Sequence, residues 1–253
     1  MNSLQGKVLI VTGASEGIGA CVVNLLRQRR ARTVLVARNE EKLRASSVPG
    51  ELVLAGDLTH EATRVEIVER AMERYGCIDG LLNIAGRGSY YWPSEAQMED
   101  ARSLFELNFF APLHLSQLVT PHVVLTRGSI VHVNSIAGLI SLPWLPIYSA
   151  SKFSLTALAV SQRAELGYKG VHVMSVFPGY VNTAFQEHAT GGSVPPQIVK
   201  GRRFAISAEE CAAAIVRGME RRSKVVVTPR VGWALIWMSR IAPGYLERRM
   251  ERI

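Results

Sequence analysis

Seven short apolar runs set the limits on what this 253-residue chain can fold into. KVLIVTG, TVLVAR, ELVLAGD, IDGLLNIAG, GSIVHVNS, GVHVMSVFPG and KVVVTP are rich in Val, Ile and Leu, and longer segments of helical character separate most of them. A strand without regular polar alternation is covered on both faces. Strands that alternate with helices pair in parallel, because a helical crossover returns the chain to the same end of the sheet. The pattern predicts a doubly wound α/β fold, with one seven-stranded parallel sheet, helices on both faces and a single core. Helices are expected over residues 19–30, 40–45, 61–75 and 208–222, across the long segment 94–118, and around Tyr148. Residues 87–93 and 180–206, the latter with GGSVPP, read as irregular. Both follow the C-terminal ends of strands, where open α/β sheets bind ligands, so they are the expected walls and lid of a site.

Composition narrows the function classes. Nearly half the residues are apolar and charge is at an ordinary level, which excludes a disordered chain. The formal charge of +8 is unevenly placed: residues 217–253 hold nine Lys/Arg against three Glu, so six of the eight net charges sit in the tail. That argues against a nucleic-acid groove spread over the domain and for a local contact with an anionic surface. Cys21, Cys77 and Cys211 are far apart and the six histidines are scattered, with His132 expected to be packed within a strand, so no metal site is expected. The N-terminus lacks the form of a signal peptide, and no stretch approaches the roughly 20 apolar residues of a membrane span. The expected location is the cytoplasm, with peripheral attachment to a membrane surface through the tail as an open reading. The domain division is 1–228 for the catalytic domain and 229–253 for a basic amphipathic extension.

The turn after the first strand reads Thr12-Gly13-Ala14-Ser15-Glu16-Gly17-Ile18-Gly19. Its glycines permit a tight turn and close approach of backbone to a pyrophosphate, whose charge is favoured by a helix N-terminus. Arg38 ends the second strand, where an NAD site usually carries an acid for the ribose 2′-hydroxyl. A guanidinium there suits a 2′-phosphate and favours NADPH over NADH; the competing reading is a surface pair with Glu40 or Glu41, and Glu16 adds a carboxylate nearby. Asp57-Leu58 ends the third strand and Asn83-Ile84-Ala85-Gly86 the fourth, either of which is also compatible with ordinary turn chemistry.

Tyr148 stands four residues before Lys152 in YSASK and follows Ser135 in SIVHVNSIAG. One helical turn separates phenol from ammonium, so both can point toward the strand end that carries the serine. A fixed cation favours the phenolate, which makes Tyr148 a candidate acid/base.

With TGASEGIG, Asp57-Leu58, NIAG, Asn108 in LFELNFFAPLHL, Ser135, YSASK and Pro178-Gly179 followed by Thr183, the chain resembles the short-chain dehydrogenase/reductase family over nearly its whole length. The resemblance implies a Rossmann-like fold and a dinucleotide held by Gly13, Ser15, Gly17, Ile18, Gly19, Arg38, Asp57, Leu58, Asn83, Ala85, Gly86, Tyr148, Lys152, Pro178, Gly179, Val181 and Thr183. It implies that Tyr148 exchanges a proton with a substrate oxygen, that Ser135 hydrogen-bonds that oxygen, that Lys152 holds the nicotinamide ribose and lowers the tyrosine pKa, and that Asn108 positions a water leading from Lys152 to solvent. Two departures stand out. Ile84 replaces the second Asn of the family's NNAG, and the chain ends in WALIWMSRIAPGYLERRMERI rather than the short strand and Asp-Gly-Gly of many tetrameric members. A homodimer is expected instead of the usual tetramer.

In that tail, Trp233, Leu235, Ile236, Trp237, Met238 and Ile241 cluster before Pro243-Gly244, and Leu246, Met250 and Ile253 continue at helical spacing among arginines. Such a segment suits a membrane interface, a dimer contact or a lid. With Tyr90, Tyr91, Trp92, Leu139, Leu142, Trp144 and Leu145 as candidate pocket lining, the expected activity is NADP(H)-dependent interconversion of a hydrophobic ketone or aldehyde and its alcohol. A reductase of 3-oxoacyl thioesters and a silent dinucleotide sensor are the alternatives.

Overall fold

The computed structural model describes residues 3–92, 94–191 and 204–251. Strands β1 (Val8–Thr12), β2 (Arg32–Ala37), β3 (Leu52–Ala55), β4 (Gly80–Asn83), β5 (Ser129–Val133), β6 (His172–Pro178) and β7 (Val225–Thr228) form one sheet in the order β3-β2-β1-β4-β5-β6-β7. Every pairing in it is parallel. Strand order reverses between β1 and β4, and the crevice that opens there at the C-terminal strand ends is where such sheets bind ligands.

Around the sheet stand α1 (Gly17–Gln28), α2 (Glu40–Ser46), α3 (Glu61–Tyr75), α4 (Met98–Phe105), α5 (Ala111–Thr126), α6 (Pro146–Gly167), α7 (Ala208–Glu220), α8 (Gly232–Ile241) and α9 (Pro243–Glu251). The central strand explains the unbroken apolar runs. Leu9 and Val11 of β1 enter a core with Val22, Leu26 and Ile215 of α1 and α7, while Val8 and Ile10 enter the opposite core with Ile67, Leu115 and Ala159 of α3, α5 and α6. Each such buried side chain contributes about 1.5–3 kcal/mol, so both faces of the strand favour apolar residues, and the buried Thr12 at its end has its hydroxyl bonded to Leu82 O.

Three features depart from the sequence expectation. Helix α1 starts at Gly17, two residues early, because the glycine turn is itself its first turn. The 94–118 segment is not one helix: α4 ends in a five-residue π turn, Glu106–Phe110, before α5 continues to Thr126. Residues 87–93 and 180–206 are not wholly irregular, since Ser89–Tyr90 pairs in parallel with Thr190–Gly191, and Val181–Asn182 with Ile206–Ser207. Pro93 and, within GGSVPP, residues 192–196 lie outside the described residues. The tail folds back on the domain: Ile236 of α8 and Leu246 of α9 are buried with Ile136, Ile140, Phe177 and Val227.

Candidate active site

A cavity of about 1210 Å³ runs along the C-terminal ends of the strands, from Arg38 at one end past Tyr148 and Lys152 to α8 and α9 at the other. Gly13, Ser15, Gly17, Ile18 and Gly19 line its first part. Gly13 and Gly17 have φ of +70° and +55°, and a Cβ on Gly19 would fall 1.9 Å from the Gly13 carbonyl oxygen. Only glycine lets the chain close this tightly. Glu16, the residue before α1, gives no side-chain cap, so the first N–H groups of the helix are not satisfied by their own N-cap.

Beside the turn, Glu16 accepts from Lys42 Nζ at 2.9 Å and meets His188 Nε2 at 2.8 Å. The Lys42 hydrogen bond outweighs burial and holds the Glu16 carboxyl below its ordinary range. Arg38 lines the cavity. Among the described residues it makes no ion pair with Glu40 or Glu41, and Glu40 pairs instead with Arg44 at 2.7 Å. Lys42 was missed in the sequence; its place one turn after Arg38, on a helix capped by Asn39, was the available signal.

Farther in, Pro146 opens α6 and places Tyr148 and Lys152 on its buried side, 7 % and 3 % exposed. Burial pushes the Tyr148 phenol up to about 12, opposed by a hydrogen bond from Ser135. Burial pushes Lys152 down to about 8. Its Nζ donates to the Val133 carbonyl at 3.2 Å and lies 5.9 Å from the Tyr148 ring centroid. Desolvation is the dominant influence on the phenol in this arrangement, and it favours the protonated form that can donate a proton. Ser135 lies two residues past β5, and its Oγ accepts from the Ala137 N–H at 3.1 Å at the start of a short 3-10 turn. Phe185 packs edge-on to Tyr148 with centroids 5.9 Å apart, a contact the sequence did not reveal.

Asn108 is fully buried within the π turn. Its Oδ1 accepts from Arg87 N at 2.9 Å, and its Nδ2 donates to Arg87 O at 2.9 Å and Ser151 Oγ at 3.1 Å, so one side chain fixes the loop after β4 to α6. A π turn widens the helix by one residue, which lets a side chain turn inward; such turns are frequent at functional sites. Asn83 stands behind the wall rather than in it: its Nδ2 donates to His132 Nδ1 at 3.3 Å, and His132 Nε2 donates to Gln162 Oε1 at 2.9 Å. Asp57 is not among the residues that line the cavity, and its Oδ1 accepts from the N–H and hydroxyl of Thr59, both at 2.9 Å. Burial would raise its carboxyl, but those bonds prevail and hold it below its usual range. Leu58, Ala85, Gly86, Pro178, Gly179, Val181 and Thr183 do line the cavity. At the far end its walls are apolar, with Tyr90, Leu142, Trp144, Leu145, Leu235 and Met238. Leu139 faces a separate groove, Tyr91 bonds Asp100, and Trp92 packs edge-on against Trp144.

The model of the short chain dehydrogenase family matches residues 7–192. The chain belongs to the short-chain dehydrogenase/reductase family. Over 98% of its length it is 30% identical to 11-beta-hydroxysteroid dehydrogenase-like 4A of Arabidopsis thaliana, of which it covers 85%. A short-chain dehydrogenase of Burkholderia cenocepacia, solved with NADP, superposes with a TM-score of 0.81 at 26% identity, with 98% of each chain covered. A second, from Burkholderia phymatum and solved with NAD, has a TM-score of 0.86 at 21% identity over 97% of each chain, a likeness of fold. The chain is thus an NAD(P)-dependent oxidoreductase acting on CH–OH groups. The glycine turn without room for a Cβ, the helix start without a side-chain cap and the long cavity passing the Tyr148 phenol all fit a nicotinamide dinucleotide.

Proposed function

We propose that this enzyme is an NADPH-dependent reductase of apolar ketones and aldehydes. One observation carries the reading: a single cavity joins an end that bears Arg38, beside the Lys42–Glu16 ion pair, to an apolar end, with Ser135, Tyr148 and Lys152 between them. Arg38 presents the charge and donor geometry that a 2′-phosphate needs, Lys42 would join it on leaving Glu16, and a ribose diol lacks the charge to match. Gly13, Ser15, Gly17, Ile18 and Gly19 would hold the pyrophosphate, Leu58, Ala85 and Gly86 the adenosine and ribose against the strand ends, and Pro178, Gly179, Val181 and Thr183 the nicotinamide half. Asp57 and Asn83 support these loops from behind. When bound, the dinucleotide supplies or accepts hydride.

The chain's own residues move the proton. In the reducing direction Tyr148, neutral at physiological pH, donates its hydroxyl proton to the substrate oxygen while Ser135 donates a hydrogen bond to the same atom. The negative charge that develops there strengthens both contacts. Lys152 keeps N–H donors beyond the one given to Val133 and turns these to ribose hydroxyls; its ammonium then favours the phenolate left on Tyr148. Asn108 is the positioning residue that holds the Arg87 loop against α6, and the water it positions returns a proton toward Lys152. Tyr90, Leu142, Leu145, Phe185 and Met238 exclude water from the reacting carbonyl and favour a greasy substrate.

A matrix of kcat/KM for NADPH and NADH against ketones graded from small and polar to large and apolar tests this reading. Preference for NADPH and a rise with apolar size are expected; equal use of NADH, or a preference for polyhydroxylated substrates, would overturn it.

A further inference from the structure

Helix α8 has two faces in different surroundings. Its inner face buries Ile236 against Ile136, Phe177 and Val227, and turns Leu235 and Met238 to the catalytic cavity. Its outer face exposes Trp233, Trp237 and Ile241, the last 77% exposed, and Tyr245 of α9 is exposed as well. Behind α8, against α6 and the β6–β7 edge, lies a second groove of about 280 Å³. Val160, Phe177, Val225, Trp233 and Trp237 make it apolar, and two guanidiniums, Arg163 and Arg240, enter it.

No carboxylate lines this groove. Arg163 Nε donates to Val173 O, and one terminal nitrogen to Ser175 Oγ and Lys224 O, all at 3.0 Å. Its partners are neutral, and burial lowers its pKa. Neither Arg163 nor Arg240 takes part in an ion pair among the described residues. A half-buried guanidinium without a counter-charge beside an apolar groove is matched by an anion whose other end is apolar.

We infer that the outer face of α8–α9 and this groove form a seat on an anionic lipid bilayer, with Arg163 and Arg240 facing the phosphate of one lipid and Trp233, Trp237 and Ile241 entering the headgroup boundary. Tryptophan and arginine flanking aliphatic residues on a helix that lies flat are what that boundary favours. A second copy of the chain is the poorer occupant, because a two-fold contact here would set the same uncompensated cations against each other. No helix among the described residues is long and apolar enough to cross a membrane, so the contact rests on the surface. Since α8 is also a cavity wall, the seat puts the mouth of the catalytic cavity at the lipid surface. That delivery route rests on the apolar-substrate reading; the seat itself does not.

The test is co-sedimentation of the full chain with vesicles of phosphatidylcholine alone and of phosphatidylcholine doped with phosphatidylserine, with tryptophan emission followed in parallel. NADPH affinity without vesicles controls for folding. The seat predicts stronger partition and a blue shift on anionic vesicles, a loss of about fivefold or more in partition for Arg240→Glu, and weaker binding with less blue shift for Trp237→Ser, at unchanged NADPH affinity. Inorganic phosphate at the same ionic strength as a chloride control should displace little protein, because the apolar end is missing. Absence of sedimentation, equal sedimentation of both variants and the wild type, or full displacement by phosphate alone would overturn the proposal. A dimer by light scattering that Trp237→Ser abolishes, without vesicle binding, would assign the face to a second copy instead.

Discussion

The glycine turn and the C-terminal helix pair border the same cavity, yet different physics fixes them. At the turn, backbone geometry leaves no choice: a side chain on Gly19 would occupy the place of the Gly13 carbonyl. Behind it, a buried polar chain from Asn83 through His132 to Gln162 ties β4, β5 and α6 together. The tail rests on one apolar cluster around Ile236 and Leu246. A site that must meet a fixed ligand is specified atom by atom, whereas a wall that meets varied greasy ligands needs only volume and apolarity.

The contrast breaks most sharply at Gly19→Ala. Dinucleotide affinity, measured by titration of the folded protein, should fall by more than about a hundredfold, since overpacking against backbone has no side chain to yield. Retained affinity would mean that the turn is softer than its geometry.

His132 tests the buried chain. Burial pushes its pKa down to about 4, while in the unfolded chain it titrates near 6.5. Between those values the unfolded state binds a proton that the native state refuses, so stability is present above about pH 6.5 and is lost as pH falls toward 4, by about 3 kcal/mol. In unfolding measured against pH, His132→Asn should flatten that slope in part, leaving the contribution of His172, whose pKa burial also lowers.

Ile236→Ala should cost about 2 kcal/mol or more of stability. It should raise KM for a large apolar ketone while leaving NADPH affinity unchanged, and a matching loss of NADPH affinity would erase the distinction between the regions. The smallest effect belongs to exposed Arg38. Arg38→Asp should shift the ratio of NADPH to NADH affinity by about tenfold toward NADH, the scale of one charge-assisted contact, and an unchanged ratio would remove Arg38 from the 2′-phosphate site.

What the sequence revealed follows the same division. TGASEGIG, Ser135, Tyr148 and Lys152 were legible because local spacing alone puts them at strand ends and on one helical turn. The seven strands were legible because burial on both faces leaves unbroken apolar runs. The π turn at Asn108 was not, since it depends on Arg87 and Ser151, which lie 21 and 43 residues away. Nor was the return of Leu246 to Ile136, because an amphipathic tail carries no mark of the surface that it covers. The burial of the pair was not legible for a related reason: the Tyr148–Lys152 spacing shows the ammonium, but only the folded protein shows how deeply both groups are buried.

The central claim is that Tyr148 gives the proton and the dinucleotide site stands independently of it. Single-turnover oxidation of NADPH by an apolar ketone, compared between the wild type and Tyr148→Phe with NADPH affinity measured on both, tests that claim most directly. The account predicts a loss of about a thousandfold in rate at unchanged NADPH affinity. A phenylalanine variant that turns over within a few-fold of the wild type would contradict it.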